Sequence, residues 1–334
     1  MQPISEALSR VYMGSPKQFQ NLTVFPLLVA HRTVPDYVVL DEALERGLAH
    51  VVEVSESGSV PELLFVNEGD DNVLLVDGEE LIGARQNRIL NMTMLVGGRS
   101  KIVVPVSCVE QGRWAYKSRR FESADRALFS RSRAKKMRQV SASLRESGSR
   151  YAYQAEIWSD ISAKAAFLSV DSDTGAMSDI YDQQSAQIDG YVSAFSPQAG
   201  QAGALFAING RINGIELFDS VSTFQRFMAK LVRSYAMDAI EDQKPNSKAP
   251  VAEVAHRFLE EMKEAVVHRF PALAEGEDLR IDTDTIAGGA LYADKSVVHL
   301  CAFRIDKPVA RPFGRGGNID FEIPAFLRRN RPTF

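Results

Sequence analysis

The sequence predicts an α+β fold. A β-rich N-terminal half, forming a sandwich or barrel-like layer, packs against a helical C-terminal half with a few further strands. Three observations predict it. Residues 20–115 hold seven short runs rich in Val, Ile and Leu, most closed by turn pairs such as Glu68-Gly69, Asp77-Gly78 and Gly97-Gly98. Between residues 150 and 241, apolar residues recur at three- and four-residue spacing. No G-x-G-x-x-G or G-x-x-x-x-G-K-[ST] occurs, so the parallel dinucleotide and P-loop folds lack their best evidence.

The runs beginning at Leu22, Tyr37, Ala49, Glu62, Asn72, Arg88 and Lys101 read as strands. "DEALERG" (Asp41–Gly47) is a helical turn set, with an acid at its start and a glycine at its end. Residues 113–150 hold twelve Lys/Arg against three acids, a local +9 in a chain of net charge −4. That stretch reads either as a solvated loop and helix face or as a collar for phosphate, nucleotide or RNA. A helix follows through Tyr153, Ile157, Ile161, Ala165 and Leu168, and a second starts near Ser178. "SPQAGQAGA" (Ser196–Ala204) reads as a loop. Asn209-Gly210 marks a β-hairpin. Asp219 or Ser220 caps a helix with the stripe Phe224, Phe227, Leu231, Tyr235 and Ile240. A further helix and strands to Phe303 complete one α+β domain over residues 1–306. The Pro-, Gly- and Arg-rich tail 307–334 reads as extended or disordered.

Composition is that of a globular protein, with 45% hydrophobic and 25% charged residues. Two cysteines make no disulfide framework, and five scattered histidines give no metal-ligand spacing. The expectation is therefore no transition metal, while a carboxylate site for magnesium stays open. The N-terminus lacks the apolar core of a signal peptide, and no apolar run is long enough to span a membrane. The chain reads as cytoplasmic.

The chemistry concentrates between Gly78 and Trp114. Arg85 and Arg88 offer planar forks suited to phosphate, and Gln86 and Asn87 can read hydroxyls. On a strand, Arg85 and Asn87 would share one face, with Gln86 and Arg88 on the other. Glu79 and Glu80 follow a turn and read as the wet end of a strand or as a general base. Cys108, Glu110 and Arg113 close the next strand, where Arg113 could activate the thiol. Trp114, or Trp158 one helical turn from Gln154, could stack a base. His299 alternates with Val297 and Cys301 and reads as a core histidine.

"GEELIGARQNRILNMTMLV" with "VPVSCVEQGRW", and later "GRINGIELFDSVSTFQRFMAKLVRSYAMDA", resembles the ARG and rhodanese-phosphatase-superfamily-associated protein domain. The family's name implies company with ADP-ribosylglycohydrolases and phosphatase-like proteins. By that association the resemblance implies a nucleotide or ADP-ribose-like ligand. On this reading Arg85, Arg88 and Arg113 hold phosphate, and Gln86 and Asn87 read hydroxyls. Glu80 or Glu110 activates water for hydrolysis, with Cys108 the alternative nucleophile. The other readings are a ligand-sensing or protein-interaction module and an RNA-binding surface on residues 113–150.

Overall fold

The computed structural model describes residues 2–31, 33–244 and 247–305. The expected tail lies outside the described residues. Three sheets form. A nine-stranded antiparallel sheet contains β1 (Val11–Met13), β2 (Lys17–Phe19), β3 (Leu22–Val29), β13 (Gln201–Ile208), β14 (Arg211–Phe218), β15 (Val267–Pro271), β16 (Glu277–Asp282), β17 (Ile286–Ala293) and β18 (Ser296–Arg304). Its order is β1-β3-β13-β14-β18-β17-β16-β15, with β2 on β3. A small sheet joins β4 (Tyr37–Val39), β7 (Asn72–Leu75) and β10 (Met94–Val96). A closed barrel runs β11-β6-β5-β12-β8-β9, built from β5 (Ala49–Glu53), β6 (Glu62–Asn67), β8 (Glu79–Gly83), β9 (Arg88–Leu90), β11 (Ser100–Cys108) and β12 (Phe121–Ala127).

Barrel closure explains the strand-dense N-terminal half. Short alternating strands leave unpaired edges, and closing on themselves removes them. Val51, Leu63, Phe65, Leu81, Val104, Val106 and Phe121 fill its core. The first strand run, from Leu22, leaves this half and joins the C-terminal strands in the large sheet. The hairpin at Asn209-Gly210 forms as expected, and both turn residues take positive φ (52° and 78°).

The helices cover both faces of the large sheet. α1 (Pro3–Ser9) and α8 (Ala252–Glu264) pack Ile4, Leu8, Phe258 and Leu259 on one face. On the other lie α3 (Ser130–Ser147) and α7 (Val221–Glu241), between sheet and barrel, with α2 (Leu40–Glu45), α4 (Gln154–Phe167), α5 (Met177–Gln183) and α6 (Ser185–Ala194) around them. The α7 stripe is buried as predicted, and Tyr235 stacks on Phe206 at 4.0 Å between centroids.

Several boundaries differ from the sequence reading. β13 begins at Gln201, inside the expected loop 196–204, because Gln201 pairs with Leu28. The second helix breaks at Gln184 into α5 and α6. The helix near residue 252 ends at Glu264, and Val267 opens β15. Tyr153 and Leu168 lie outside α4, while Ile157 and Ile161 face the core.

The basic stretch is part solvated and part buried: Lys117, Arg119 and Arg120 are exposed, while other cations are drawn into ion pairs. Nine of its twelve cations lie within 4.0 Å of a carboxylate: Arg113, Arg126, Arg131, Arg133, Lys135, Lys136, Arg138, Arg145 and Arg150. Arg133 and Lys136 are fully buried, meeting Asp77 and, for Arg133, Glu216. Acids distributed through the chain converge on this segment, and Arg131, Lys135, Arg138 and Arg145 make their ion pairs at exposed positions. Among the described residues, no helix is long and apolar enough to cross a membrane.

Candidate functional site at one barrel mouth

Strand register places the polar residues at one end of the barrel. Arg88 pairs with both Cys108 and Leu81, Phe121 with both Gly83 and Val51, and Glu53 with Leu63. Glu53, Gly83, Arg88 and Cys108 therefore ring one mouth. The links after β5, between β8 and β9, and after β11 meet over it. Residues Ala84–Asn87 form a tight turn with Ala84 at positive φ (36°), so the strand alternation expected for Arg85–Arg88 does not apply.

Gly83 makes this turn possible. Its φ of 132° lies in a region essentially restricted to glycine. A Cβ there would stand 2.6 Å from Ser118 Oγ and 2.8 Å from the Arg120 carbonyl oxygen. Gly83→Ala is expected to lower stability by about 2 kcal/mol or more, read from urea unfolding. An unchanged midpoint would show that the turn relaxes freely.

Most of the predicted ligand residues are committed to building the mouth. Arg113 spends every donor: Nε and Nη2 on Glu110, Nη1 on the Ala84 and Ala115 carbonyls, and Nη2 also on Gly83 O and Asn87 Oδ1. Gln86 donates to the Glu110 and Gln111 carbonyls and accepts from Arg88 and the Cys108 thiol. Asn87 Oδ1 accepts from the Gly83 N–H, and its Nδ2 donates to Glu80. Gln154 clamps the Cys108 backbone, accepting its N–H and donating to its carbonyl, each at 2.7 Å. These four residues fix the loops and have little capacity left for a ligand.

The acids are likewise engaged. Glu110 accepts from Arg113, the Asn87 N–H and Thr174. Burial works to raise its pKa, but those bonds overcome it and hold the carboxyl below its ordinary value. A carboxylate held so firmly ionised is a weak base. Glu80 is fully buried and paired with Arg126 at 2.8 Å, and Glu79 is paired with Lys230 at 2.8 Å. Neither is the wet end of a strand. Burial pushes Glu80 up to about 7, against the pull of Arg126 and Asn87.

Arg88 is different. It is 0% exposed, and only Nη1 finds partners, Gln86 Oε1 at 3.2 Å and the Asn87 carbonyl. Its Nε and Nη2 have none. Burial draws its pKa down, and the nearby Cys108 and Glu53 act the other way. Two more unpartnered polar atoms belong to neighbouring residues: Glu53 Oε2 and Arg85 Nε. Burial raises the Cys108 thiol, while Arg88, the Glu110 N–H and the Trp158 indole oppose the rise. Cys108 is 0% exposed, with its thiol turned to Gln86, so it is not an activated nucleophile.

An aromatic roof lies over the mouth. The Arg85 guanidinium sits 5.4 Å from the Trp114 ring and 4.4 Å from that of Tyr116, and Arg88 sits 5.8 Å from Trp114. Both rings remain nearly half exposed. Glu53 escapes sequence reading because it lies 30 residues before Gly83. The only signal is Glu53 ending an otherwise apolar strand.

Among the described residues, the one group of three His, Cys, Asp or Glu side chains close enough to share an ion is Glu216, His299 and Cys301. Arg133 already holds Glu216 at 2.6 Å, and burial raises the Cys301 thiol well above its ordinary value. This donor set serves an ion-pair network. His299 is buried and bonded to Thr93 and Glu216, the satisfied core residue expected.

No curated protein and no solved structure matches the chain. The family model of the ARG and Rhodanese-Phosphatase-superfamily-associated Protein domain matches residues 10–303, spanning barrel, large sheet and helices, and the chain belongs to that family.

Proposed function

We propose that the barrel mouth binds a phosphorylated, nucleotide-type ligand such as ADP-ribose. The observation that carries this reading is Arg88, a fully buried guanidinium with two donor nitrogens unpartnered. Leaving buried charged donors unsatisfied costs several kcal/mol, and a phosphate oxygen would satisfy both. Glu53 Oε2 supplies the matching acceptor for a ribose hydroxyl. Trp114 and Tyr116, whose rings lie 5.4 Å and 4.4 Å from the Arg85 guanidinium, provide a wall for a base. Mouths of β-barrels are frequent ligand sites. Glu80 and Glu110 are turned towards Arg126 and Arg113, so the support is for binding rather than for hydrolysis.

Thermal shift on the full chain tests this with ADP-ribose, AMP, NAD and ribose 5-phosphate, with and without magnesium. A ligand at 100 times its Kd should stabilise the fold by about 2.7 kcal/mol. The nucleotides should shift the melt more than the sugar phosphate, and magnesium should add little. Trp114→Ala, at an exposed ring, should remove the advantage of the nucleotides without lowering the unliganded melt. If no compound shifts the wild type, the reading fails.

A further inference from the structure

A second cavity lies at the far side of the large sheet. It encloses about 460 Å³ between α1, the end of β3, the end of β14 and the start of β18. It forms because β13 starts late. Gln201 pairs with Leu28 and Gly203 with Leu217, so beyond them Ala30 and Phe218–Asp219 have no strand between them. Its walls are mainly apolar: Ala7, Val11, Val29, Leu217, Phe218 and Val297. Its size falls within the range of small-molecule sites.

The one acidic residue lining this space is Asp219. Most buried acids among the described residues meet a cation: Asp77 with Lys136, Glu79 with Lys230, Glu80 with Arg126, Glu110 with Arg113, Glu216 with Arg133, Asp238 with Lys164 and Asp278 with Arg280, while Glu53 at the barrel mouth does not. Asp219 meets none within ion-pair distance among the described residues. Its Oδ1 accepts from the Tyr37 hydroxyl at 2.5 Å, the Asp219 and Ser220 backbone N–H groups also bond the carboxylate, and Tyr37 in turn meets Thr223 at 3.0 Å. Burial pushes the Asp219 carboxyl up to about 6, and Asp36 adds to the rise. Arg10 and His31 also line the cavity, but both are exposed and Arg10 is bonded to Glu6. Asp219 is partly buried, and a carboxylate partly drawn from water without a counter-charge gains from a cation placed beside it.

We propose that this cavity is a second binding site, for a small organic amine whose apolar body fills the pocket and whose ammonium group pairs with Asp219. Tyr37 holds the carboxylate in place, and the apolar walls exclude the water that would weaken the pair. The site is separate from the barrel mouth and stands or falls independently of it.

Benzylamine is the probe, with benzyl alcohol as its uncharged equivalent, measured on the full chain by ligand-detected NMR titration. Benzylamine should bind at least about tenfold more tightly than benzyl alcohol, the difference expected for one half-buried ion pair. Asp219→Asn should erase that preference while leaving benzyl alcohol binding unchanged. Ala30→Trp, at an exposed rim position, should block both without altering the melt. Equal binding of the two probes, or a preference that survives Asp219→Asn, overturns the proposal. So does a benzylamine Kd weaker than about 10 mM.

Discussion

Arg133→Met is expected to destabilise the fold by about 3–5 kcal/mol, the range for breaking one side of a buried ion pair. Arg133 is 0% exposed and donates to Asp77 Oδ1 at 3.1 Å and to Glu216 Oε1 at 2.6 Å. Without it Asp77 keeps Lys136, but Glu216 is left with His299 at 3.2 Å and Tyr235 at 3.3 Å. The cost is that of a buried carboxylate without a permanent counter-charge. Urea unfolding followed by circular dichroism measures it. Arg133→Met combined with Glu216→Met should recover most of the loss, because the stranded charge is then gone. A single variant within about 1 kcal/mol of wild type would show that the network contributes little.

Arg88→Met should act in the opposite direction. Its guanidinium is desolvated and only one of its three nitrogens is bonded. Replacing such a buried charge with an apolar side chain of similar length is expected to stabilise by about 1–4 kcal/mol. The same change should abolish any nucleotide-dependent thermal shift. A gain in stability together with loss of binding is the mark of a residue kept for recognition. If Arg88→Met instead destabilises the fold and leaves the ligand shift intact, Arg88 is structural and the mouth binds elsewhere.

The fold class was legible in the sequence because it rests on local signals. Alternating short strands, turn glycines and the α7 stripe each act within about twenty residues. The Asn209-Gly210 turn fixed its hairpin without help from the rest of the chain. The location of the polar mouth was legible too, since Arg85–Arg88 and Cys108–Arg113 are conspicuous as short runs. The division of labour within it was not. Arg88 and Arg113 look equivalent in sequence, yet one has all its donors satisfied and the other does not. That distinction depends on the Ala84, Gly83 and Ala115 carbonyls and on Glu110, which only folding brings around Arg113. The ion pairs of the basic stretch were hidden for the same reason, because partners such as Asp77, Glu216 and Asp282 lie 50 to 150 positions away. Asp219 was visible only as a cap next to Ser220. Its role emerges from β13 starting late, which no local pattern reveals.

Helix α3 also bears on how this architecture can change over time. Through Arg133 it ties Asp77, beside the barrel, to Glu216 in the large sheet, each by a buried charge. A barrel copied into another gene without this helix would carry Asp77 uncompensated, and a sheet copied without it would carry Glu216 likewise. Recombination between the two parts is therefore penalised from both sides. The barrel and the sheet should be inherited together or lost together, and neither should turn up as a free-standing module fused to unrelated proteins.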